Sequence, residues 1–269
     1  MVYGAYFTGT KTTGKIVKAI AGEMDKDYVE QDFSLPGSRE VPLIYREEDI
    51  VVMGLPVIAG RVPNLLLPYL NTLEGNGALA VPVVLYGNRN FDDALVELRD
   101  IMEDRGFRTI AAGAFVGEHS FSKVLAKGRP DDLDLVVAKK LGRKIKSKLE
   151  KMDYSSPVAV PGTPRPYRGY YRPRDRWGKH IDIRKVKPKT KDTCDHCGTC
   201  ARICPMGAID REDESQIPGI CIKCCACEKR CPKGAKYFDD PGYLYHKSEL
   251  EEMYRERREP EIFLSKKTI

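Results

Sequence analysis

Nine cysteines stand close together near the carboxyl-terminal end of this 269-residue chain, all between Cys194 and Cys231. They form two runs, "CDHCGTCARICPMGAI" and "CIKCCACEKRCPKGAK", which share the spacing C-x-x-C-x-x-C-x-x-x-C-P. Because the cysteines are confined to one segment, they indicate a local site and not a framework of disulfide bonds. The repetition itself predicts a small pseudo-symmetric domain.

Each run supplies three thiols that can wrap one face of a 4Fe–4S cluster, and a fourth thiol before proline that serves another cluster. A structural zinc site explains one pair of cysteines and does not require two complete quartets. The spacing therefore predicts two clusters. The ligands of one are Cys194, Cys197, Cys200 and Cys231, and those of the other are Cys221, Cys224, Cys227 and Cys204.

Two further residues inside the runs are not needed as ligands. Cys225 has no counterpart in the first run, where Gly198 stands, and we expect it to be a small packing residue beside the cluster. His196 lies between two ligands, and we expect it at the surface or next to the ligands, since four cysteines already complete that cluster.

A second candidate for chemistry follows the first apolar run, in "FTGTKTTGKI". Gly9, Gly14 and Lys15 have the spacing of a nucleotide-hydrolysing P-loop, but Ile16 stands where a magnesium-binding Ser or Thr is required. No later strand ends in the Asp that such a site needs. The hydroxyl groups and the backbone N–H groups at a helix start instead predict a metal-free phosphate site, built from Thr8, Gly9, Thr10, Lys11, Thr12 and Thr13.

The elements that must position these residues alternate along the first half of the chain. Apolar runs predict strands at Val2–Phe7, Tyr28–Phe33, Ile50–Leu55, Leu79–Tyr86 and Thr109–Val116, and amphipathic stretches predict helices at Gly14–Ala21, Asn64–Leu73, Phe91–Arg105 and Pro130–Lys151. Strands that are apolar throughout predict a parallel sheet covered on both faces. The proline-containing stretch between the second and third strands predicts an irregular connection.

Composition divides the chain into four parts. We predict a domain at 1–151, a basic linker rich in proline and aromatic residues at 152–191, a two-cluster domain at 192–240 and a charged helical tail at 241–269. The linker's prolines favour an extended backbone, and its aromatic residues predict that it is strapped along the surface of the domains. We also expect the apolar end of the tail, Ile262 to Leu264, to dock on the body.

The first domain resembles flavodoxins, in which a Thr/Ser-x-Thr-Gly-Asn-Thr loop binds the phosphate of FMN, although Lys11 and Thr12 replace the Gly-Asn. The resemblance implies an α/β, doubly wound, five-stranded parallel sheet with the flavin ring at the carboxyl ends of its strands. Two loops, 54–64 and 86–93, would flank the ring, through Pro56, Val57, Ile58, Ala59, Gly60, Arg61, Tyr86, Gly87, Asn88, Arg89 and Phe91.

Two of these ring-flanking residues carry specific expectations. The first loop offers Val57 and Ile58 where flavodoxins usually stack an aromatic residue, which leaves Tyr86 as the nearest aromatic candidate. Arg61 would stabilise the anionic reduced flavin if it lies near the ring. The alternative is that Arg61 holds the acidic or carbonyl end of a neighbouring loop. His119 stands after the fifth strand, where a structural role is favoured over a proton relay.

The cysteine runs resemble bacterial-type two-cluster ferredoxins, which adds a second, small α+β domain. The whole order, with "GAFVGEHSFS" after the fifth strand and "REPEIFL" near the end, resembles the ferredoxin–flavodoxin fusion proteins of anaerobes. The resemblance implies FMN, two 4Fe–4S clusters and a role as a carrier of low-potential electrons. The alternative is an oxidoreductase that reduces a small molecule at the flavin.

Composition and charge constrain the partners. The hydrophobic content of 42% and the charged content of 31% are those of a globular protein, and no signal peptide or bilayer-spanning run is visible, which predicts a cytoplasmic protein without a membrane partner. The net charge of +6 originates in the linker, where eleven Lys and Arg stand against three Asp. We expect this charge to steer an acidic redox protein and not nucleic acid, which would leave the cofactors unexplained.

Overall fold

The computed structural model of this chain describes residues 1–151 and 154–266. The first two positions of the predicted linker and the last three of the predicted tail lie outside the described residues. The strands are β1 (Val2–Tyr6), β2 (Val29–Asp32), β3 (Ile50–Pro56), β4 (Leu79–Tyr86), β5 (Arg108–Thr109), β6 (Ala111–Val116), β7 (Lys189–Thr190), β8 (Lys236–Tyr237) and β9 (Glu261–Leu264). The helices are α1 (Thr12–Met24), α2 (Leu67–Leu70), α3 (Ala94–Asp104), α4 (Asp132–Glu150), α5 (Thr199–Arg202), α6 (Ala226–Lys229) and α7 (Pro241–Met253).

The large sheet is parallel in the order β2-β1-β3-β4-β6, with the two-residue β5 beside β4. Tyr6 pairs with Gly54, Gly54 with Val83 and Val83 with Gly113, so the carboxyl ends of the central strands meet at one edge. Helices α1 and α4 cover one face, and α2 and α3 cover the other. This order confirms the flavodoxin-like doubly wound fold, whose ligand crevice lies at that edge.

Glycines let helix α1 approach the sheet closely. A Cβ on Gly14 would lie 2.8 Å from the ring of Tyr6, and a Cβ on Gly54 would lie 2.3 Å from a methyl group of Val17. Any larger residue would push α1 away from β1 and β3. The glycine that completes the P-loop spacing is therefore required for packing.

The tail and the helix predicted at Asn64–Leu73 differ in part from the sequence prediction, whereas the connection after β2 does not. The apolar end of the tail docks as predicted, but it does so as a sixth long strand, because β9 pairs antiparallel with β6 and covers what would be an open edge. The helix predicted at Asn64–Leu73 is only a 3-10 turn followed by α2, since Pro68 lacks the N–H that a continuous helix needs. The connection after β2 is irregular as predicted, with a 3-10 turn at Pro36–Arg39.

The second half of the chain wraps around that edge. The described part of the linker between 154 and 188 contains no helix, as its prolines predict. In the cysteine-rich segment the short helices α5 and α6 occupy equivalent positions of the two runs, and β7 and β8 form a small antiparallel sheet. Helix α7 begins at Pro241, because Asp240 accepts a hydrogen bond from the Tyr243 N–H and a proline is favoured in the first turn.

Candidate cofactor site

A cavity of about 820 Å³ lies at the carboxyl ends of β1, β3, β4 and β6. The loops that follow these strands form one wall. The linker, the second cysteine run and helix α7 form the others. The cavity is therefore closed by parts of the chain that follow the sheet strands β1 to β6 in sequence.

The predicted phosphate loop enters this cavity through Gly9, Thr10, Thr12 and Thr13. The Thr8 N–H donates to the Ser34 hydroxyl at 2.8 Å, which fixes the start of the loop. Lys11 adopts a left-handed backbone conformation (φ 69°) as α1 begins, and its side chain is exposed. The start of the loop is thus held by Ser34, two residues after the end of β2.

Two threonine hydroxyls of this loop show whether the loop has free hydrogen-bond donors for a phosphate. The side-chain oxygens of Thr8 and Thr13 are buried and have no hydrogen-bond partner within the described part of the chain. Leaving a buried hydroxyl unpaired costs about 1–3 kcal/mol. The Thr13 hydroxyl, in the first turn of α1 and at the cavity, fits the phosphate of FMN, which would accept its hydrogen bond without a metal ion, whereas Thr8 does not line the cavity.

Lys15 takes no part in this site. Its ammonium group donates to the Pro130 carbonyl at 2.8 Å, and the next residue, Ile16, is fully buried in the core. The Gly-Lys pair that imitates a P-loop therefore serves the packing of α1 against the sheet and the loop before α4.

The two predicted ring-flanking loops contribute unequally. Residues Pro56 to Gly60 line the cavity, as do Tyr86, Gly87 and Arg89. The side chain of Asn88 instead points to the carboxyl-terminal segment, where its amide nitrogen donates to the carbonyls of Tyr254 and Glu256 at 2.5 and 2.7 Å. Phe91 is buried against Tyr86, with ring centroids 5.5 Å apart. Asn88 and Phe91 therefore position the loop and do not line the cavity.

Arg61 is also placed differently from the hypothesis that it tunes the flavin. Its guanidinium forms two hydrogen bonds with the Glu97 carboxylate, at 2.6 and 2.7 Å, and donates to the Arg168 carbonyl at 2.6 Å. It is also flanked by the rings of Tyr167 and Tyr170. Arg61 does not line the cavity. It has the alternative role, which is to tie the linker to α3.

Aromatic residues that sequence reasoning did not assign to the site reach it from the linker and from α7. The Tyr171 N–H donates to the Ala59 carbonyl at 2.8 Å, and the Tyr171 ring lies under the guanidinium of Arg89. Its ring also lies 6.0 Å from that of His246. The linker thus brings an aromatic residue to the loop that lacks one. The only signal in the sequence was the presence of aromatic residues among the linker's prolines.

Two histidines, the partly buried His119 and the buried His246, line the same cavity, and both have lowered pKa values. Burial lowers the pKa of His119 to about 3, with further contributions from the charge of Lys229 and from His246, and burial lowers the pKa of His246 to about 4. The His119 Nδ1 accepts a hydrogen bond from the Phe121 N–H at 3.1 Å, so the proton of the neutral ring is on Nε2. His119 therefore packs the loop after β6 and presents an N–H donor.

The residues of the second predicted quartet lie around a common cavity. Cys204, Cys221, Cys224 and Cys227 line one small cavity of about 20 Å³, together with apolar residues of both runs. The Ala208 N–H donates to the Cys204 sulfur at 3.3 Å, and the Lys223 N–H donates to the Cys221 sulfur at 3.4 Å. Soft thiolates supported by N–H donors fit a 4Fe–4S cluster.

The first quartet lies nearer the surface. Cys197 is exposed, whereas Cys200 is buried. The Ala235 N–H donates to the Cys231 sulfur at 3.2 Å, which repeats the contact at Cys204 in the other run. An ion pair between Asp195 and Lys233, at 3.8 Å, joins the loops that carry Cys194 and Cys231.

The two other residues of the runs have the roles expected of them. Cys225 is buried, and its sulfur lies 3.4 Å from the hydroxyl of Tyr243, in a cluster of aromatic side chains. The side chain of His196 is mostly exposed, and its Nδ1 lies 3.1 Å from the Glu214 carboxylate. Both residues lie beside the cluster segments as packing or surface groups.

The phosphate loop and the second quartet touch one another. A Cβ placed on Gly9 would lie 2.7 Å from the Cβ of Cys224 and 3.1 Å from its sulfur. Gly9 is therefore required because the cysteine run packs directly on the loop. The absence of a side chain brings the phosphate site and a predicted cluster ligand into contact.

Two basic side chains, those of Arg39 and Lys229, join the sheet domain to the cysteine-rich segment. The Arg39 guanidinium donates to the Pro205 carbonyl at 2.7 Å and to the Phe33 and Ser34 carbonyls at 2.8 and 2.6 Å. Lys229, at the end of α6, donates to the Glu118 carboxylate at 2.6 Å and to the His119 carbonyl at 2.7 Å. The cysteine-rich segment is thus anchored on the loops after β2 and β6.

Known proteins resemble separate parts of this chain. The family model of a 4Fe–4S binding domain matches residues 188–210, which include the first cysteine run. Oxidised flavodoxin 1 from Bacillus cereus is similar over 54% of this chain and 97% of its own, with 14% identity and a TM-score of 0.39. The flavodoxin of Streptococcus pneumoniae TIGR4 is similar over 55% of this chain and 98% of its own, with 13% identity and a TM-score of 0.39. No curated protein matches the chain.

The strand order and the family match together define the class of protein. The chain joins a flavodoxin-like domain to a ferredoxin-type segment with a 4Fe–4S binding motif. Among the described residues, no helix has both the length and the apolar character needed to cross a bilayer.

Proposed function

We propose that this protein binds one FMN and two 4Fe–4S clusters and transfers low-potential electrons between a partner redox protein, the clusters and the flavin, in anaerobic metabolism. Bound FMN exchanges one or two electrons and each cluster exchanges one, so the protein would convert between one-electron and two-electron partners. Residues of the loop Thr8 to Thr13 would hold the phosphate. The cysteine quartets would hold the clusters.

The contact between Gly9 and Cys224 carries this proposal. Electron transfer slows steeply as the distance between two redox centres grows. A ligand of the second quartet packs on the phosphate loop, and Cys221 and Cys224 line the same cavity as the ring-flanking loops. That arrangement supports direct transfer between this quartet's cluster and the flavin.

The cavity wall explains why the flavin would exchange electrons through the clusters. The Tyr171 N–H is bonded to the Ala59 carbonyl, and the Tyr170 hydroxyl donates to the Val62 carbonyl at 3.0 Å. The linker is thus laid across the loop that would flank the ring. A large partner is kept from that side, whereas the cluster segment lies against the cavity.

A redox titration of anaerobically purified protein, followed by its visible spectrum, tests the proposal. We expect one FMN, two clusters and bleaching of the clusters that is followed by reduction of the flavin after a one-electron donor is added. A protein that contains no flavin even after reconstitution would refute the proposed function. Reduction of the flavin that does not depend on the clusters would contradict the transfer path.

The cavity also favours a second candidate function, reduction of a small molecule at the flavin. Its volume of about 820 Å³ is within the range of small-molecule sites, and His119, His246 and Arg89 offer polar groups in an otherwise largely apolar wall. Steady oxidation of the reduced protein by a panel of small electron acceptors, with saturation, would support this candidate over a carrier.

A further inference from the structure

We propose that the hairpin at residues 174–180, with Trp177 at its tip, is the surface on which an acidic protein electron donor docks. This inference rests on the proposed electron-transfer function and adds to it a defined contact surface. Trp177 is the chain's only tryptophan, and 86% of its surface is exposed. No ring contact to it is found within 1–151 and 154–266.

Hydrogen bonds within the hairpin hold the backbone that carries the Trp177 side chain. Arg174 and His180 form a β-bridge at its base, and the Asp175 N–H donates to the Lys179 carbonyl at 2.9 Å. The Asp175 carboxylate accepts hydrogen bonds from the N–H groups of Trp177 and Lys179, at 3.0 and 2.8 Å. An exposed tryptophan on an ordered turn loses little conformational freedom when a partner covers it.

The hairpin is fixed to helix α7 through Arg176, the residue before Trp177. Arg176 forms ion pairs with Glu249 and Glu252 at 2.9 and 2.7 Å, and its N–H donates to the Tyr245 hydroxyl at 3.2 Å. Arg176 is therefore used internally, and it turns the following residue, Trp177, toward solvent. The hairpin is part of the body and not a free loop.

The chain returns from the hairpin to the redox cavity. Residues His180 to Arg184 line the cavity, and the Lys223 ammonium group donates to the Arg184 carbonyl at 3.0 Å. Lys223 stands between Cys221 and Cys224 in the second quartet. A donor seated on the hairpin would therefore lie beside the segment that carries this quartet.

Charge identifies the partner as acidic. Five of the linker's eleven basic residues are paired with carboxylates, namely Arg165, Arg168, Arg176, Arg184 and Lys189. Arg172, Arg174, Lys179 and Lys185 are exposed and have no ion pair with any described residue. These four charges surround Trp177 along the sequence, and such a combination of tryptophan and arginine is typical of the central residues of protein interfaces.

A protein donor fits this surface better than the two other anionic partners. A membrane would require several apolar side chains on one face, and the hairpin offers one. Nucleic acid binding would not use the neighbouring cluster segment. An acidic redox protein uses the charge for orientation, the tryptophan for contact and the clusters as acceptor.

The test compares two electron donors on the full-length protein loaded with its cofactors. Photochemically reduced acidic two-cluster ferredoxin is the protein donor, and methyl viologen radical is the small donor. Methyl viologen radical gives one electron to the protein and is oxidised by one electron, and each reduced cluster of the ferredoxin gives one electron and is oxidised by one electron. The variants are Trp177→Ala and Arg174→Glu/Lys179→Glu. The control is Val41→Ala, whose exposed apolar side chain lies in the connection after β2.

We expect the second-order rate with ferredoxin to fall at least tenfold in both variants, whereas the rate with methyl viologen and the rates of the control stay at wild-type values. The charge variant should also lose most of the dependence on ionic strength. Equal ferredoxin rates in wild type and variants would overturn the docking surface while the electron-transfer function stands. Binding of the wild type, but not of Trp177→Ala, to anionic phospholipid vesicles would overturn it in favour of a membrane. Failure of methyl viologen to reduce wild-type clusters would overturn the proposed function and the docking with it.

Discussion

Lys229 provides the most direct test of how the two halves are joined. It is the last residue of α6, which also carries the predicted ligand Cys227, and only 12% of its side chain is exposed. Its ammonium group bonds both the carboxylate of Glu118 and the carbonyl of His119, in the loop that lines the cavity after β6. We predict that Lys229→Met, which keeps most of the aliphatic stem and removes the charge, loosens the cluster segment from the flavin domain.

The size of the effect follows from these two contacts. A hydrogen bond to a charged group contributes about 1.5–3 kcal/mol. The upper end is discounted because 28% of the Glu118 side chain is exposed and because the Gly128 N–H still donates to it at 3.1 Å. A total of about 2–3 kcal/mol, at about 1.4 kcal/mol per factor of ten, lowers the ratio of docked to undocked protein by about 30- to 150-fold.

The assay is stopped-flow reduction by a limiting amount of methyl viologen radical, in which cluster bleaching and flavin reduction are followed separately. We expect the bleaching rate of Lys229→Met to match that of wild type and its flavin reduction to be slower, with a lower melting temperature. The matched control is Lys247→Met on α7, because Lys247 forms only a weak ion pair with Glu251 at 4.0 Å. Wild-type flavin reduction and melting in Lys229→Met would refute the reasoning.

Four further predictions follow from single residues. Thr13→Val should raise the dissociation constant of FMN about tenfold or more, measured by flavin fluorescence, without destabilising the FMN-free protein, because its buried hydroxyl has no partner among the described residues. Cys204→Ser should reduce iron and acid-labile sulfide to about half, since one quartet stays complete. Arg61→Lys should lower the melting temperature, because lysine cannot form the double contact with Glu97, and leave the flavin potentials unchanged; a changed potential with wild-type melting would restore the tuning hypothesis. His246 has a folded pKa of about 4, below its unfolded value, so the unfolded chain takes up the proton first as the pH falls and stability is lost from about pH 6.5 downward, at up to about 1.4 kcal/mol per pH unit. His246→Gln should therefore reduce the difference in melting temperature between pH 7.5 and pH 5.5, and an unchanged difference would argue against a neutral buried ring.

The sequence by itself determined the features that depend on short-range spacing. The three cysteines of each run that stand two residues apart are close in space whatever surrounds them, so the sequence predicts three ligands of each cluster directly. The fourth ligand of each predicted quartet comes from the other run, and its assignment follows the Cys-Pro spacing typical of two-cluster ferredoxins. The alternation of apolar runs and amphipathic stretches likewise predicted the parallel sheet, because strand burial on both faces requires residues such as Val51 to Leu55 to be apolar throughout. Ile16 was enough to remove the magnesium site, since a buried aliphatic side chain offers no metal ligand.

Only the tertiary structure decided which distant segments meet. Arg61 lies in a loop that the sequence predicts beside the flavin. Its guanidinium instead donates hydrogen bonds to the Glu97 carboxylate and to the linker, because an arginine pairs with the carboxylate that offers the best two-point geometry. Tyr171 and His246 reach the cavity because the linker and α7 fold back over it, and β9 completes the sheet by a long-range pairing. Gly9 was predicted for a phosphate, and the packing of Cys224 upon it could not be read from local pattern. Such contacts depend on the packing of whole helices and strands. Because the free energy of that packing is shared among many residues, it produces no recognisable spacing of residue types in the sequence.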